Sequence, residues 1–159
     1  GGNDVITGGS GVDTIVFAST AALSGTNTIT GFTLGASADI LYPNSFLAAS
    51  AMNAKIASMP TAAVSVENDV NLLVDVNGGQ DITTVLGLTT AVAGTGEYKN
   101  VDMTASKSAI FVTAASANSS VTQHVFFATS DGSAVITPVK VATIGSVDID
   151  SFVAANFGI

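Results

Sequence analysis

A glycine-rich nonapeptide near the amino end constrains the fold of this chain more than any other feature. The motif G-G-x-G-x-D-x-U-x, where U is a large aliphatic residue, is matched at every fixed position by Gly8–Val16. Residues Gly2–Thr7 supply the last six positions of a preceding copy, so Asp4 and Asp13 lie nine residues apart. Two copies in phase predict short parallel strands that stack on one another, with the aliphatic residues facing inward.

The residue types of this repeat suit a calcium site. Glycine tolerates positive φ and lets backbone carbonyls turn toward a cation, while aspartate adds a carboxylate. Hard oxygen ligands of this kind select Ca²⁺. The alternative is an ordinary turn that binds no metal. The candidate ligands are Asn3, Asp4, Gly8, Gly9, Ser10, Gly11 and Asp13.

On these residues the chain resembles the RTX family of calcium-binding secreted proteins, which includes serralysin proteases, exported lipases, toxins and several surface-layer proteins. The resemblance implies a parallel β-roll in which one calcium lies between loops two copies apart. The loop Gly8–Asp13 would then share its ion with a loop about eighteen residues earlier. Ala22 stands where the next repeat would have Asp, so we expect the roll to end here. Because the sequence begins in the middle of a repeat, we also expect the chain to be a fragment.

The segment after the repeat resembles the strands that close the roll in many RTX proteins. These usually read D-x-I-x-D-F and then D-x-I/L-x-L. Here Asn27 and Gly31 stand where acids are common, and only Asp39 keeps its carboxylate. The resemblance therefore implies closing strands in this segment without a clear second set of metal ligands.

Composition excludes several classes of function. The chain has 159 residues, with twelve acids, four basic residues and a formal net charge of -8. Such a surface repels nucleic acid, whose binding needs clustered Lys and Arg. No apolar run approaches the ~20 residues of a membrane span, and with no cysteine neither a disulfide nor a thiolate metal site exists.

The middle of the chain predicts one helix and one hairpin. A helix beginning at Asn44 or Ser45 and ending at Pro60 would place Phe46, Ala49, Met52, Ile56 and Met59 on one face. Alternating residues from Val70 to Val76 and from Ile82 to Leu88 predict a hairpin. Its turn leaves two readings open, a plain turn or a second calcium loop formed by Asp75, Asn77 and Asp81.

Strands are also predicted at Glu97–Met103 and Ser108–Ala115. A long final hairpin is predicted from Gln123–Ser130, a turn at Asp131-Gly132, and a return through Ala134–Ile144, with Pro138 at an edge or a bulge. A short helix within Val147–Phe157 would be capped by Asp148 or Asp150.

We thus predict a mainly β fold, with the end of a parallel β-roll followed by an antiparallel β-sandwich-like region containing one or two short helices. Residues 1–42 would form the roll and its closing strands, and residues 43–159 a carboxyl-terminal β-rich domain. By resemblance, the extreme carboxyl terminus would carry the type I secretion signal.

No catalytic constellation is visible. His124 is the sole histidine and lies in a strand pattern, and no nucleophile elbow or phosphate loop is present. We therefore predict a structural domain that is not an enzyme.

The function expected first is the calcium-dependent terminal domain of an exported surface-layer protein at the cell surface. Its partners would be copies of itself and the type I secretion machinery. The alternatives are the noncatalytic export domain of an RTX exoenzyme, such as a serralysin-like protease or a lipase, and an RTX adhesin.

Overall fold

The structure is a computed structural model of the chain. It describes residues 1–18, 20–43, 54–57, 64–65, 72–75, 82–93, 96, 98, 101–103, 108–115, 120–132 and 135–158.

Eleven strands and two short α-helices form within the described residues. The strands are β1 Val5–Thr7, β2 Thr14–Val16, β3 Asn27–Thr30, β4 Ile40–Tyr42, β5 Ala54–Ala57, β6 Val64–Ser65, β7 Leu72–Asp75, β8 Val101–Asp102, β9 Ser108–Ala114, β10 Ser120–Ser130 and β11 Ile136–Asp148. The helices are α1 Ala21–Ser24 and α2 Val85–Val92, and two 3₁₀ turns follow at Ile149–Ser151 and Ala154–Phe157.

One large mixed sheet organises the chain. Its strand order is β1-β3-β11-β10-β9-β7-β5, and the pairs β2-β4 and β6-β8 form two small sheets. Strands β9, β10 and β11 pair antiparallel at its centre, whereas β3 joins β11, and β7 joins β9, in parallel. The predicted mainly β class with short helices is confirmed, and its carboxyl-terminal region is mixed rather than purely antiparallel.

The two repeat-derived strands alternate between sheets. Strand β1 pairs in parallel with β3 in the large sheet, and β2 pairs in parallel with β4 in a small one. The aliphatic repeat positions face the space between these sheets, since Ile15 is buried and Ile6 packs against the same core. This alternation agrees with what a roll requires, and membership of a longer β-roll stays a prediction.

The final hairpin follows its prediction closely. Strands β10 and β11 pair along almost their whole length around the Asp131-Gly132 turn, with irregularities between Val121 and Gln123 and between Val125 and Phe126. Strand β3 pairs with β11 only at residues 142–144, so Pro138 lies beyond that contact and its missing N–H disrupts no ladder there. Asp148 caps the first 3₁₀ turn by accepting a hydrogen bond from the Asp150 N–H.

The large sheet carries a hydrophobic cluster on each face. Along β9, Ile110 and Val112 face the cluster that includes β2, β4 and the carboxyl-terminal segment. The alternate residues Ala109 and Phe111 face a second cluster beneath α2. Because successive side chains of a strand point to opposite faces, this central strand is buried on both sides.

Two local predictions are wrong. Residues Ala54–Ala57 form a strand that pairs in parallel with β7, so a continuous helix from 44 to 60 does not form; its remaining residues lie outside the described part. The expected return strand through Leu88 is instead the helix α2, whose N-cap Thr84 accepts a hydrogen bond from the Gly87 N–H at 3.0 Å. Buried Leu88, Ala91 and Val92 follow helical spacing, so burial of this face outweighs the strand-like alternation.

Within the described ranges, neither helix is long and apolar enough to cross a membrane.

Candidate metal centre

The Gly-rich turn between β1 and β2 is closed by its own aspartate. The Asp13 carboxylate accepts a hydrogen bond from the Gly9 N–H at 2.9 Å. Gly11 has φ of 113°, a conformation that favours glycine. Gly9, Ser10 and Gly11 are exposed and Asp13 is half-buried, so one side of this turn is open to solvent.

The other side of the turn lies against the loop between β3 and β4, which we call the closing loop (residues 31–39). Gly8 donates to the Thr30 carbonyl at 2.9 Å. A Cβ added at Gly8 would stand 2.9 Å from the Gly31 carbonyl oxygen, so glycine is required for this close approach. The two turns therefore stack backbone against backbone.

Asp39 joins these two turns. One carboxylate oxygen accepts from the Asp13 N–H and the other from the Thr33 N–H, both at 2.8 Å, and the side chain is 1% exposed. Burial raises the pKa of this carboxyl. The hydrogen bonds from the Asp13 and Thr33 backbone and from the Thr33 side chain together lower it by more, so its pKa lies below the ordinary value. These hydrogen bonds favour the charged form of the carboxylate.

Asn3 and Asp4 belong to a different pair of loops. The Asn3 side chain accepts from the Thr26 N–H at 2.8 Å, and the Asp4 N–H donates to the side chain of Asn27 at 3.1 Å. The structure therefore groups Gly8–Asp13 with the closing loop and leaves Asn3 and Asp4 beside residues 26–28. The seven candidate ligands therefore form two separate groups and do not converge on one site.

The carboxyl-terminal segment anchors the closing loop. Buried Asn156 accepts from the Gly35 N–H at 3.2 Å and donates to the Asp39 and Gly35 carbonyls at 3.0 and 3.3 Å. Beside it, Phe152 stacks between Phe32 and Phe157, with ring centroids 6.3 and 5.5 Å away. A polar contact and an aromatic cluster together fix this segment to the loop.

The residues of the Gly-rich turn fit one face of a calcium site. They combine a carboxylate, a hydroxyl and glycine carbonyls, which is the oxygen chemistry that Ca²⁺ prefers, and Gly9, Ser10 and Gly11 are exposed to solvent. Across the described ranges no three His, Cys, Asp or Glu side chains cluster as a metal site. Ca²⁺ takes about six to eight oxygen ligands, so the side chains of Ser10 and Asp13 would not complete a site without carbonyl oxygens or ligands from a second loop.

The return strand expected after the possible second calcium loop is instead the helix α2. Asp75 is buried in β7 and accepts a hydrogen bond from the Tyr98 hydroxyl. Asn77 and Asp81 lie outside the described residues. His124 lies in β10 opposite Thr143 and Thr113, with its ring 6.5 Å from that of Phe126.

Sequence reasoning missed the bridging residues. Asn27 and Asp39 were compared with family acids as metal ligands, yet both use their side chains to bind backbone groups of neighbouring turns. Asn156 was given no structural role. Its signal was available, because it is a lone amide in the apolar run from Phe152 to Phe157.

Comparison with protein-family models, with curated proteins and with solved structures found no match for this chain. The interpretation of the candidate site therefore rests on its own residues and contacts.

Proposed function

We propose that this chain is the noncatalytic carboxyl-terminal domain of a calcium-dependent exported surface-layer protein, in which it closes the end of a glycine-rich β-roll. The observation that carries the proposal is the alternation of β1 and β2 between two sheets, each paired in parallel with the strand of the next coil. One strand derived from the nonapeptides, β1, thereby joins the large sheet, and the other, β2, joins β4 in a small sheet.

The strands β1 and β3 of the amino-terminal region have different neighbours in the large sheet, and this difference supports a closing role. On one side β3 continues into β11 and the final hairpin. On the other side β1 is an edge strand of the large sheet and β2 is an edge strand of its small sheet, and their residues Val5 and Val16 are 77% and 61% exposed. Edge strands with apolar side chains are templates for further pairing. A preceding repeat coil would cover this edge.

The charge of the chain supports a calcium-dependent assembly. A net charge of -8 makes identical copies repel within a Debye length of about 10 Å at 0.1 M salt. Calcium bound in the turns would reduce this repulsion locally. Identical copies joined by heterologous contacts can then grow into an open array.

The buried carboxyl-terminal segment bears on export. Phe152, Asn156 and Phe157 are all at most 2% exposed in the folded chain. If this segment carries the type I secretion signal, the transporter reads it before the chain folds. Folding outside the cell then turns the same residues into core.

The test uses a chain extended at its amino end by three further nonapeptide copies. Calorimetry should detect calcium binding, and Asp13→Asn should weaken it because a charged ligand is lost, whereas the exposed Asp150→Asn should not. In the parent protein, electron microscopy should show sheets with calcium that disperse with a chelator. Equal affinity in the two variants contradicts the calcium assignment. A parent that stays monomeric in calcium and cleaves a protein or a lipid ester supports the exoenzyme alternative instead.

A further inference from the structure

We propose that Asp39 joins the Gly-rich turn to the closing loop without a metal ion, so that this end of the roll is preassembled before calcium binds elsewhere. The inference rests on the proposed function only where it treats the exposed side of the Gly-rich turn as one face of a calcium site. The junction between the two turns is a property of this chain alone.

Two backbone N–H groups, which are hydrogen-bond donors, approach the Asp39 carboxylate at this junction. A calcium ion between two turns needs oxygen atoms converging on it. Here the Asp13 N–H and the Thr33 N–H both point at one carboxylate, each at 2.8 Å. Converging N–H groups bind an anion, and the anion is the side chain of Asp39. These two N–H groups supply no oxygen ligand, and the carboxylate already joins the two turns through them.

The junction extends in both directions through hydrogen bonds. Asp13, held by Asp39, accepts in turn from the Gly9 N–H at 2.9 Å. On the other side, Asn156 donates to the Asp39 carbonyl at 3.0 Å and contacts both backbone groups of Gly35. The path from Asn156 through Asp39 and Asp13 to Gly9 links the carboxyl-terminal segment to the Gly-rich turn.

This path makes Asp39 and Asn156 positioning residues for the turn. Neither faces its exposed side, since both side chains are at most 1% exposed. They act by ordering the backbone that would present oxygen atoms to calcium. A turn that is already ordered loses less conformational freedom on binding, which raises its affinity.

Amide hydrogen exchange followed by NMR tests the proposal on the chain as it stands, first in chelator and then in calcium. In the wild type we expect the Asp13 and Thr33 amides to be protected in chelator and to gain no protection from calcium. Asp39→Asn should lower the protection of these two amides by about tenfold or more, the effect of losing a charge-assisted hydrogen bond. The amides of Val125 and Phe126 in β10 should change less.

A second variant tests the junction at Asn156, and two variants at exposed residues, Asp150→Asn and Asn3→Asp, serve as charge controls. Asp150→Asn removes one charge from an exposed side chain and should leave the Asp13 and Thr33 amides protected. Asn156→Asp keeps the acceptor for Gly35, loses the donor to the Asp39 carbonyl and adds a buried charge, so it should expose the same two amides. Asn3→Asp, at an exposed residue of the other loop pair, should not.

Several results would overturn the proposal. In the wild type, amides that are unprotected in chelator and become protected in calcium would show that the junction needs metal. An Asp39→Asn variant that loosens β10 as much as Asp13 would show only a general loss of stability. If that variant does not fold, the wild-type comparison decides alone. Failure of the extended chain to bind calcium would contradict the proposed function and leave the metal-free junction intact.

Discussion

At the scale of single residues, buried polar side chains join turns that are distant in sequence. Asp39, Asn27 and Asn156 are all at most 5% exposed, and each makes side-chain hydrogen bonds to backbone groups. A backbone group without a partner in the interior is costly, so a short polar side chain that reaches it stabilises an otherwise irregular connection. Where the chain turns, the side-chain hydrogen bonds of these residues take the place of the backbone hydrogen bonds between strands.

The depressed pKa of Asp39 predicts a loss of stability in acid. Because its folded pKa lies below the ordinary 3.8, its contribution is fully present above that value and is lost as the pH falls through the folded pKa. We expect Asp39→Asn to lower the free energy of unfolding at neutral pH by about 2 kcal/mol. We also expect the variant to lose less stability on acidification than the wild type.

Denaturant unfolding from neutral pH into the acid range, in metal-free buffer, measures both effects. Asp150→Asn is the control, since its carboxylate is exposed. Parallel pH profiles for the wild type and Asp39→Asn would contradict the assigned role of the carboxylate.

At the scale of elements, close stacking of turns sets the geometry of the amino-terminal region. In the β1-β3 pair, Val5 lies opposite Thr28, which is 23 residues later in the sequence. In the β2-β4 pair, Thr14 lies opposite Ile40, which is 26 residues later. Two regular nonapeptides would give a spacing of 18. The observed spacings are longer because α1 lies between β2 and β3, and the closing loop with Asp39 lies between β3 and β4.

Gly8 and Gly9 offer a matched test of this stacking. Gly8→Ala should destabilise the chain by about 1–3 kcal/mol, because the new methyl group meets the Gly31 carbonyl oxygen at 2.9 Å. Gly9→Ala should be neutral or stabilising by up to ~1 kcal/mol, since its nearest neighbour is 4.0 Å away. Thermal unfolding of the two variants measures the difference, and equal melting temperatures would show that the turns do not stack closely.

At the scale of the whole molecule, one sheet separates two cores, and the carboxyl-terminal segment completes one of them. Phe152 and Phe157 pack in the same cluster as Ile15, Ile29 and Leu41 of the amino-terminal coils. Most of the stability of such a region comes from apolar surface removed from water. The first and last described segments are therefore stabilised together.

Truncating this aromatic cluster should destabilise the chain globally. We expect Phe157→Ala to lower the free energy of unfolding by about 3–5 kcal/mol, because the ring is fully buried. Leu86→Ala, at a side chain 74% exposed on α2, should change it by no more than ~0.5 kcal/mol. Chemical denaturation followed by circular dichroism measures both. A small effect of Phe157→Ala would mean that the segment is not part of the core.

Much of the fold could be predicted from local patterns. The final hairpin was predictable because two alternating runs flank Asp131-Gly132, and such signals lie within a few residues of one another. The inward orientation of Ile6 and Ile15 followed in the same way from the repeat. For residues 82–92, however, the sequence satisfies a strand period and a helix period together, and only packing against the large sheet selects the helix.

The sequence by itself determined the Gly-rich turn, because the requirement for glycine and aspartate at fixed spacing is local. Only the tertiary structure decided what that turn contacts. Asp39 lies 26 residues from Asp13, and Asn156 lies 117 residues from Asp39 and 121 from Gly35. The periodicity of a sequence cannot predict contacts over such separations. These contacts form because β3 pairs with β11, which brings the two ends of the chain to one core.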